Sequence, residues 1–160
     1  MKAIALLLVC TLLGACDSAE PSKLVSEGNR AIGSGDFEVA RSKFSAALES
    51  LKAGDSEFLD ASLGLVEALI TTDPAMASQQ FLALADACPN LVGEKQYNYI
   101  GGQMVSARKY LEAISLLEVG IVRSGGESPV LMMQVGRIQK EAAHIPAVRS
   151  KLEGLGYGNF

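Results

Sequence analysis

The sequence predicts an all-α fold of about four antiparallel helix pairs, and three observations carry that reading. Glycines recur at near-equal steps, Gly28, Gly64, Gly101 and Gly136, at intervals of 36, 37 and 35 residues. Self-similarity with a period of about 20–50 residues marks arrays of small units, each unable to bury its apolar face alone. Capping residues and prolines also fall together. Asp73-Pro74 and Ser128-Pro129 each put a side-chain acceptor before a proline, the pattern of a helix start. Finally, no segment alternates apolar and polar residues in the way of a half-buried strand.

Eight helices follow in order. The first, over residues 20–33, stops at Gly33-Ser34-Gly35, and the second covers 37–52. The third, over 56–71, carries two apolar stripes: Leu59, Leu63, Val66 and Ile70, and beside them Phe58, Ala61, Leu65 and Leu69. One stripe suffices for a helix lying on a core; two suit a helix with neighbours on both sides. The fourth helix, 74–87, opens at Asp73-Pro74, and the fifth and sixth cover 91–106 and 110–124. The seventh, 129–142, opens at Ser128-Pro129, and the last, 146–153, opens at Ile145-Pro146. Residues 154–160 form a Gly-rich tail, in which Tyr157 and Phe160 either pack back or stay free.

The spacing inside the pairs is informative. Gly28 is followed by Phe37, Ala40, Phe44 and Ala47, with Gly35-Asp36 between the helices. Ile100-Gly101 is followed by Tyr110, Ala113 and Leu117; Leu63-Gly64 by Ala77 and Phe81; Val135-Gly136 by Ile145, Val148 and Leu152. This pattern resembles the tetratricopeptide repeat (TPR), a helix pair of about 34 residues. Ala31 stands where the family usually has a large aromatic. The small Gly28 and Ala40 would let the helix axes approach, with Phe37 and Phe44 filling the space beside them. The resemblance implies a TPR-like solenoid over residues 23–153 with a concave groove lined by the first helix of each pair. Carried over position by position, the groove takes in Val25, Asn29 and Ile32, then Phe58, Ala61 and Leu65, then Asn98 and Val105, then Met133, Arg137 and Lys140.

The N-terminus has a different character. Met1-Lys2 precedes an apolar run from Ala3 to Leu13, shorter than the roughly 20 residues a spanning helix needs. A basic start, a short apolar stretch and small residues before a break are the marks of a cleaved secretory signal, here residues 1–15. Leu13-Gly14-Ala15-Cys16 resembles the bacterial lipobox, which implies cleavage before Cys16 and a covalent lipid on its sulfur. Residues 16–22 would then be a short polar tether. Asp17 resembles the inner-membrane retention signal of enterobacterial lipoproteins, a signal that other lineages read elsewhere, so the choice of membrane stays open.

Composition narrows the function classes. The chain of 160 residues carries a net charge of −4, and −5 once Lys2 leaves with the signal, with no basic stripe for nucleic acid. Cys10 leaves with the signal and Cys16 takes the lipid, so Cys88 stands alone, reads as a small buried hydrophobe, and has no disulfide partner. One histidine, one thiol and no clustered carboxylates predict no metal and no cofactor beyond the lipid on Cys16. His144, beside Ile145-Pro146, reads as a cap or a solvent-facing residue, because no nucleophile motif accompanies it. Arg108-Lys109 and the stretch Arg137 to Lys140 read as solvated faces, and Gly154-Leu155-Gly156-Tyr157-Gly158 as a helix stop.

The expectation is therefore a non-enzymatic lipoprotein, anchored on the periplasmic side of a bacterial membrane. Its helical repeats would bind another protein of the cell envelope. Similar TPR lipoproteins serve pilus, secretion, barrel-assembly or polysaccharide-export systems, and the sequence does not choose among them. A structural subunit touching its neighbours through the ends of the array is the alternative. A small-ligand binder or enzyme would need convergent ionisable residues, which are scarce on the expected first helices.

Overall fold

The structure, a computed structural model, describes residues 20–158. The expected signal of residues 1–15, Cys16, Asp17 and Phe160 lie outside the described residues. Among the described residues there are eight helices and no strand: α1 (Pro21–Ser34), α2 (Phe37–Leu48), α3 (Phe58–Thr72), α4 (Pro74–Ala87), α5 (Glu94–Ser106), α6 (Tyr110–Arg123), α7 (Pro129–Ala142) and α8 (Pro146–Gly154). None of them is long and apolar enough to cross a membrane.

Local chemistry sets the boundaries. Pro21, Pro74, Pro129 and Pro146 each open a helix, where a missing N–H costs nothing. Asp36, Asp73 and Ser128 accept from the backbone N–H groups of Val39, Met76 and Leu131 at 3.2, 3.0 and 3.2 Å, capping α2, α4 and α7. Gln96 reaches back to accept from the Gly93 N–H at 3.0 Å, half of a capping box at the start of α5. Helix α1 already includes Pro21 and Ser22, two residues that the sequence assigns to a tether.

The helices pack in a regular order. α1 lies on α2 and α3, α2 on α3, α3 on α4 and α5, and α4 on α6. α5 lies on α6 and α7, α6 on α7 and α8, and α7 on α8. Thus the first helix of each pair touches the first helix of the next, from α1 to α7. The double stripe of α3 has its explanation here, since four helices surround it. Ala61, Ala68, Val66, Leu69 and Ile70 are buried, and Phe58, Leu59, Leu63 and Leu65 are half-buried.

Two core clusters result. Around α1–α3 the buried side chains are Leu24, Val25, Ala31, Ala40, Phe44, Ala47, Ala61 and Ala68. A larger cluster extends from Val66 on α3 to Leu152 on α8, with Phe81 and Tyr97 in edge-to-face contact at 4.9 Å between ring centroids. Cys88 ends α4 and packs against that cluster as a half-buried side chain, less enclosed than the buried hydrophobe expected from sequence.

The four spaced glycines are not equivalent. A Cβ on Gly28 would fall 2.8 Å from the Phe44 ring, and one on Gly64 would fall 2.3 Å from the same ring. Phe44 is therefore wedged between two glycines on α1 and α3, and it is Phe44, not Ala40, that closes on Gly28. Gly101 receives Leu117 of its own pair, with 2.5 Å to Cδ2. Gly136 meets only Gln139 Oε1, at 3.9 Å, so no close approach depends on it.

The tail is ordered as far as it is described. Gly156 takes φ +86°, and the Tyr157 N–H donates to Leu152 O at 2.9 Å, closing α8 with a left-handed turn. Tyr157 packs back: its hydroxyl donates to Glu118 Oε2 at 2.8 Å and its carbonyl accepts from Gln139 Nε2 at 2.6 Å.

Candidate functional site

The row of first helices carries two adjoining depressions. One, of about 290 Å³, is lined by Asn29 of α1, Asp60, Leu63, Gly64 and Glu67 of α3, and Tyr99 of α5. The other, of about 270 Å³, is lined by Ile32, Phe37, Glu67, Ile70, Thr71, Gln103, Ser106 and Ala107. Glu67 borders both. It accepts a hydrogen bond from the Tyr99 hydroxyl at 2.5 Å, which ties α3 to α5. Partial burial, and that bond to a carboxylate, push the Tyr99 phenol up to about 12. The face thus offers carboxylates and amides between the apolar patches of Ile32, Leu63 and Ile70.

The residues expected to line a groove separate into groups. Asn29 and Ile32 do face these depressions. Val25, Ala61 and Val105 are buried in the core and offer nothing to a partner. Phe58 and Leu65 point elsewhere, into an apolar depression of about 290 Å³ between α2 and α4 that also involves Leu48, Ala83 and Ala87. Asn98 accepts from Gln134 Nε2 at 3.0 Å between α5 and α7, so it is already engaged. Met133 is 64% exposed, Arg137 pairs with Glu141 at 2.8 Å, and Lys140 is exposed.

The physical reason is register. Carrying positions over from Gly28 assumed that every spaced glycine faces its own partner helix. Gly64 faces the preceding pair instead, which rotates the outward face of α3 toward Asp60, Leu63 and Glu67. The sequence held a signal for this: Asp60 and Glu67 are two turns apart on an otherwise apolar helix, hence on one side of it. Tyr99 and Gln103, one turn apart on α5, repeat it.

A separate pocket, of about 420 Å³, lies where α6 and α8 begin. Arg108, Tyr110, Glu141, His144 and Ile145 line it. His144 is exposed between the end of α7 and the start of α8 and caps neither helix by side chain. The Arg137 guanidinium, and the Tyr110 hydroxyl 3.4 Å away, hold the Glu141 carboxyl below the usual carboxylate range.

Among the described residues no group of three His, Cys, Asp or Glu side chains is placed to hold a metal ion. No protein-family model, curated protein or solved structure matches the chain.

Proposed function

We propose that this chain is a lipid-anchored protein of the bacterial envelope whose eight helices form a TPR-like superhelix that binds another protein. The observation that carries the reading is the row of first helices. Three of them, α1, α3 and α5, contribute to two depressions that run side by side and share Glu67. A partner helix or extended segment with an apolar anchor suits such a surface, with the half-buried Ile32 and Leu63 for the anchor and Asn29, Asp60 and Gln103 for its polar edge.

The anchor would be a diacylglyceryl group on Cys16, with a second acyl chain on the new amino group. Two chains give stable attachment where one is marginal. With α1 beginning at Pro21, the helices start five residues after Cys16, within about 20 Å of the anchor even when fully extended. The fold would sit close to the membrane surface on the periplasmic side.

Two experiments test the two parts. Cys16→Ser is expected to abolish incorporation of a radioactive fatty acid; equal label in both proteins removes the anchor. For the surface, Asn29→Arg with Asp60→Arg alters two exposed residues of one depression. The double variant is expected to keep its circular dichroism and lose its co-purifying envelope partner. Full recovery of that partner by a folded double variant would move the interaction off this face. It would favour a structural subunit contacting through its ends.

A further inference from the structure

The pocket at the start of α6 and α8 belongs to neither depression. Its one carboxylate is already satisfied: Glu141 takes Arg137 Nε at 2.8 Å on one oxygen and the Tyr110 hydroxyl at 3.4 Å on the other. Its cation, Arg108, acts on that carboxylate only at a distance. Among the described residues Arg108 makes no salt bridge, although it lines the pocket beside that carboxylate. His144 is the other polar side chain of the lining. With the Glu141 carboxylate paired to Arg137, the Arg108 guanidinium is the charge of the lining left uncompensated by an ion pair.

The backbone adds to this polarity. Tyr110 opens α6 and Ile145 is the N-cap of α8, and neither helix start has a side-chain cap. The first-turn N–H groups of both helices carry partial positive charge. Tyr110 and Ile145 supply the apolar part of the wall.

We propose that this pocket binds an acidic side chain of a protein partner, with the Arg108 guanidinium as its principal ligand. The proposal rests on the protein-binding reading above and adds the chemistry of one contact. A carboxylate is favoured over phosphate because Arg108 is the one Lys or Arg of the lining: it balances a monoanion and leaves a dianion half compensated beside Glu141. Arg suits the task, since its planar fork matches a carboxylate in two bonds.

The test uses the purified full chain in detergent micelles, labelled with nitrogen-15. The probes are N-acetyl tetraglutamate amide, its tetraglutamine counterpart and inorganic phosphate. Saturable shifts of the Leu111, Glu112, Ala147 and Val148 amides with tetraglutamate, and none with tetraglutamine, are expected. Arg108→Gly is expected to weaken that binding by about ten-fold or more, and Arg108→Lys by less. The glycine variant keeps its fold, because the turn it occupies is one that glycine prefers. No saturable shift in the parent, or equal affinity in Arg108→Gly, overturns the proposal. Phosphate binding tighter than tetraglutamate overturns the choice of carboxylate. Since only small probes are used, intact peptide binding with failed partner capture would sink the partner reading alone.

Discussion

Around α1, α2 and α3 the interior is built of small residues closed by one ring; around α5, α6 and α7 it is built of large side chains that share the work. In the first region Phe44 is the one buried ring, in a cluster with Leu24, Val25, Ala31, Ala40, Ala47, Ala61 and Ala68, and it fits because Gly28 and Gly64 leave it room. In the second, Ile100, Met104, Ile114, Leu116, Leu117, Leu131 and Ile138 are all buried. Glycine appears there too, but each opens a different contact: Gly101 to Leu117, and Gly120 to Tyr97 and Leu131. A core concentrated in one ring should be brittle, and one spread over many aliphatics should yield locally.

Truncating the two central side chains probes that difference most strongly. Phe44→Ala removes the one ring of its cluster from between Gly28 and Gly64, neither of which has a side chain to fill the space, and should cost about 4 kcal/mol. Leu117→Ala removes a smaller group among flexible neighbours and should cost about 3 kcal/mol. Urea melts of both variants measure this. Equal losses, or a larger loss at Leu117, would break the contrast between a one-ring core and a distributed one.

The glycines sharpen it further. Gly64→Ala would place a methyl 2.3 Å from Phe44 Cζ, in a site with no give on the other side of the ring, and should cost about 1–3 kcal/mol. Gly136→Ala meets open space and should gain up to about 1 kcal/mol from helix propensity alone. From sequence these two glycines look alike. Opposite signs in the melts would establish that they are not.

That pair also marks where the sequence is legible. Helix starts are local chemistry: a proline needs no N–H partner at the first position, and Asp73 and Ser128 bond a backbone within three residues. Positions 74, 129 and 146 could therefore be read from their neighbours. The facing of a helix is not local. Phe58 and Leu65 share their helix with Leu63 and Ile70, all apolar; Asp60 and Glu67 mark its outward side, but no periodicity says which stripe meets α4. The basic pocket was hidden for the same reason. Arg108, Arg137 and His144 looked like unrelated surface residues, and only the packing of α6, α7 and α8 brings them to one concavity.

Two tyrosines bear on how the regions are fastened. Tyr99 bonds Glu67 across α3 and α5, and Tyr157 bonds Glu118 beneath the C-terminal turn. Burial and the acceptor carboxylate raise both phenols from 10.0 to about 12. The unfolded chain releases these protons near pH 10, while the folded chain holds them. Their contribution to stability is therefore complete below pH 10 and declines between pH 10 and 12. Melts across that window should show a shallower decline in Tyr157→Phe and in Tyr99→Phe. A decline unchanged by both substitutions would detach these bonds from stability.

The smallest expected effect compares the turns of the first and third pairs. After α1 the chain reverses through Gly35 at φ 78°, and the Asp36 N–H donates to Ala31 O at 2.9 Å. After α5 it reverses through Arg108 at φ 59°, and the Lys109 N–H donates to Met104 O at 2.8 Å. The hydrogen-bond pattern is the same, and the residue at the left-handed position differs. A side chain there crowds the following carbonyl, at roughly 1 kcal/mol, a cost that glycine avoids. Arg108→Gly should therefore stabilise the fold by about 0.5–1 kcal/mol, even after the greater entropy of glycine in the unfolded chain is counted. Gly35→Arg should destabilise it by a similar amount, in a turn where Gly35 has open space around it and only the backbone objects. The two melts are mirror experiments. If Arg108→Gly instead lowers the midpoint, the guanidinium makes a stabilising contact worth more than the strain, and its assignment to a partner's carboxylate loses its main support.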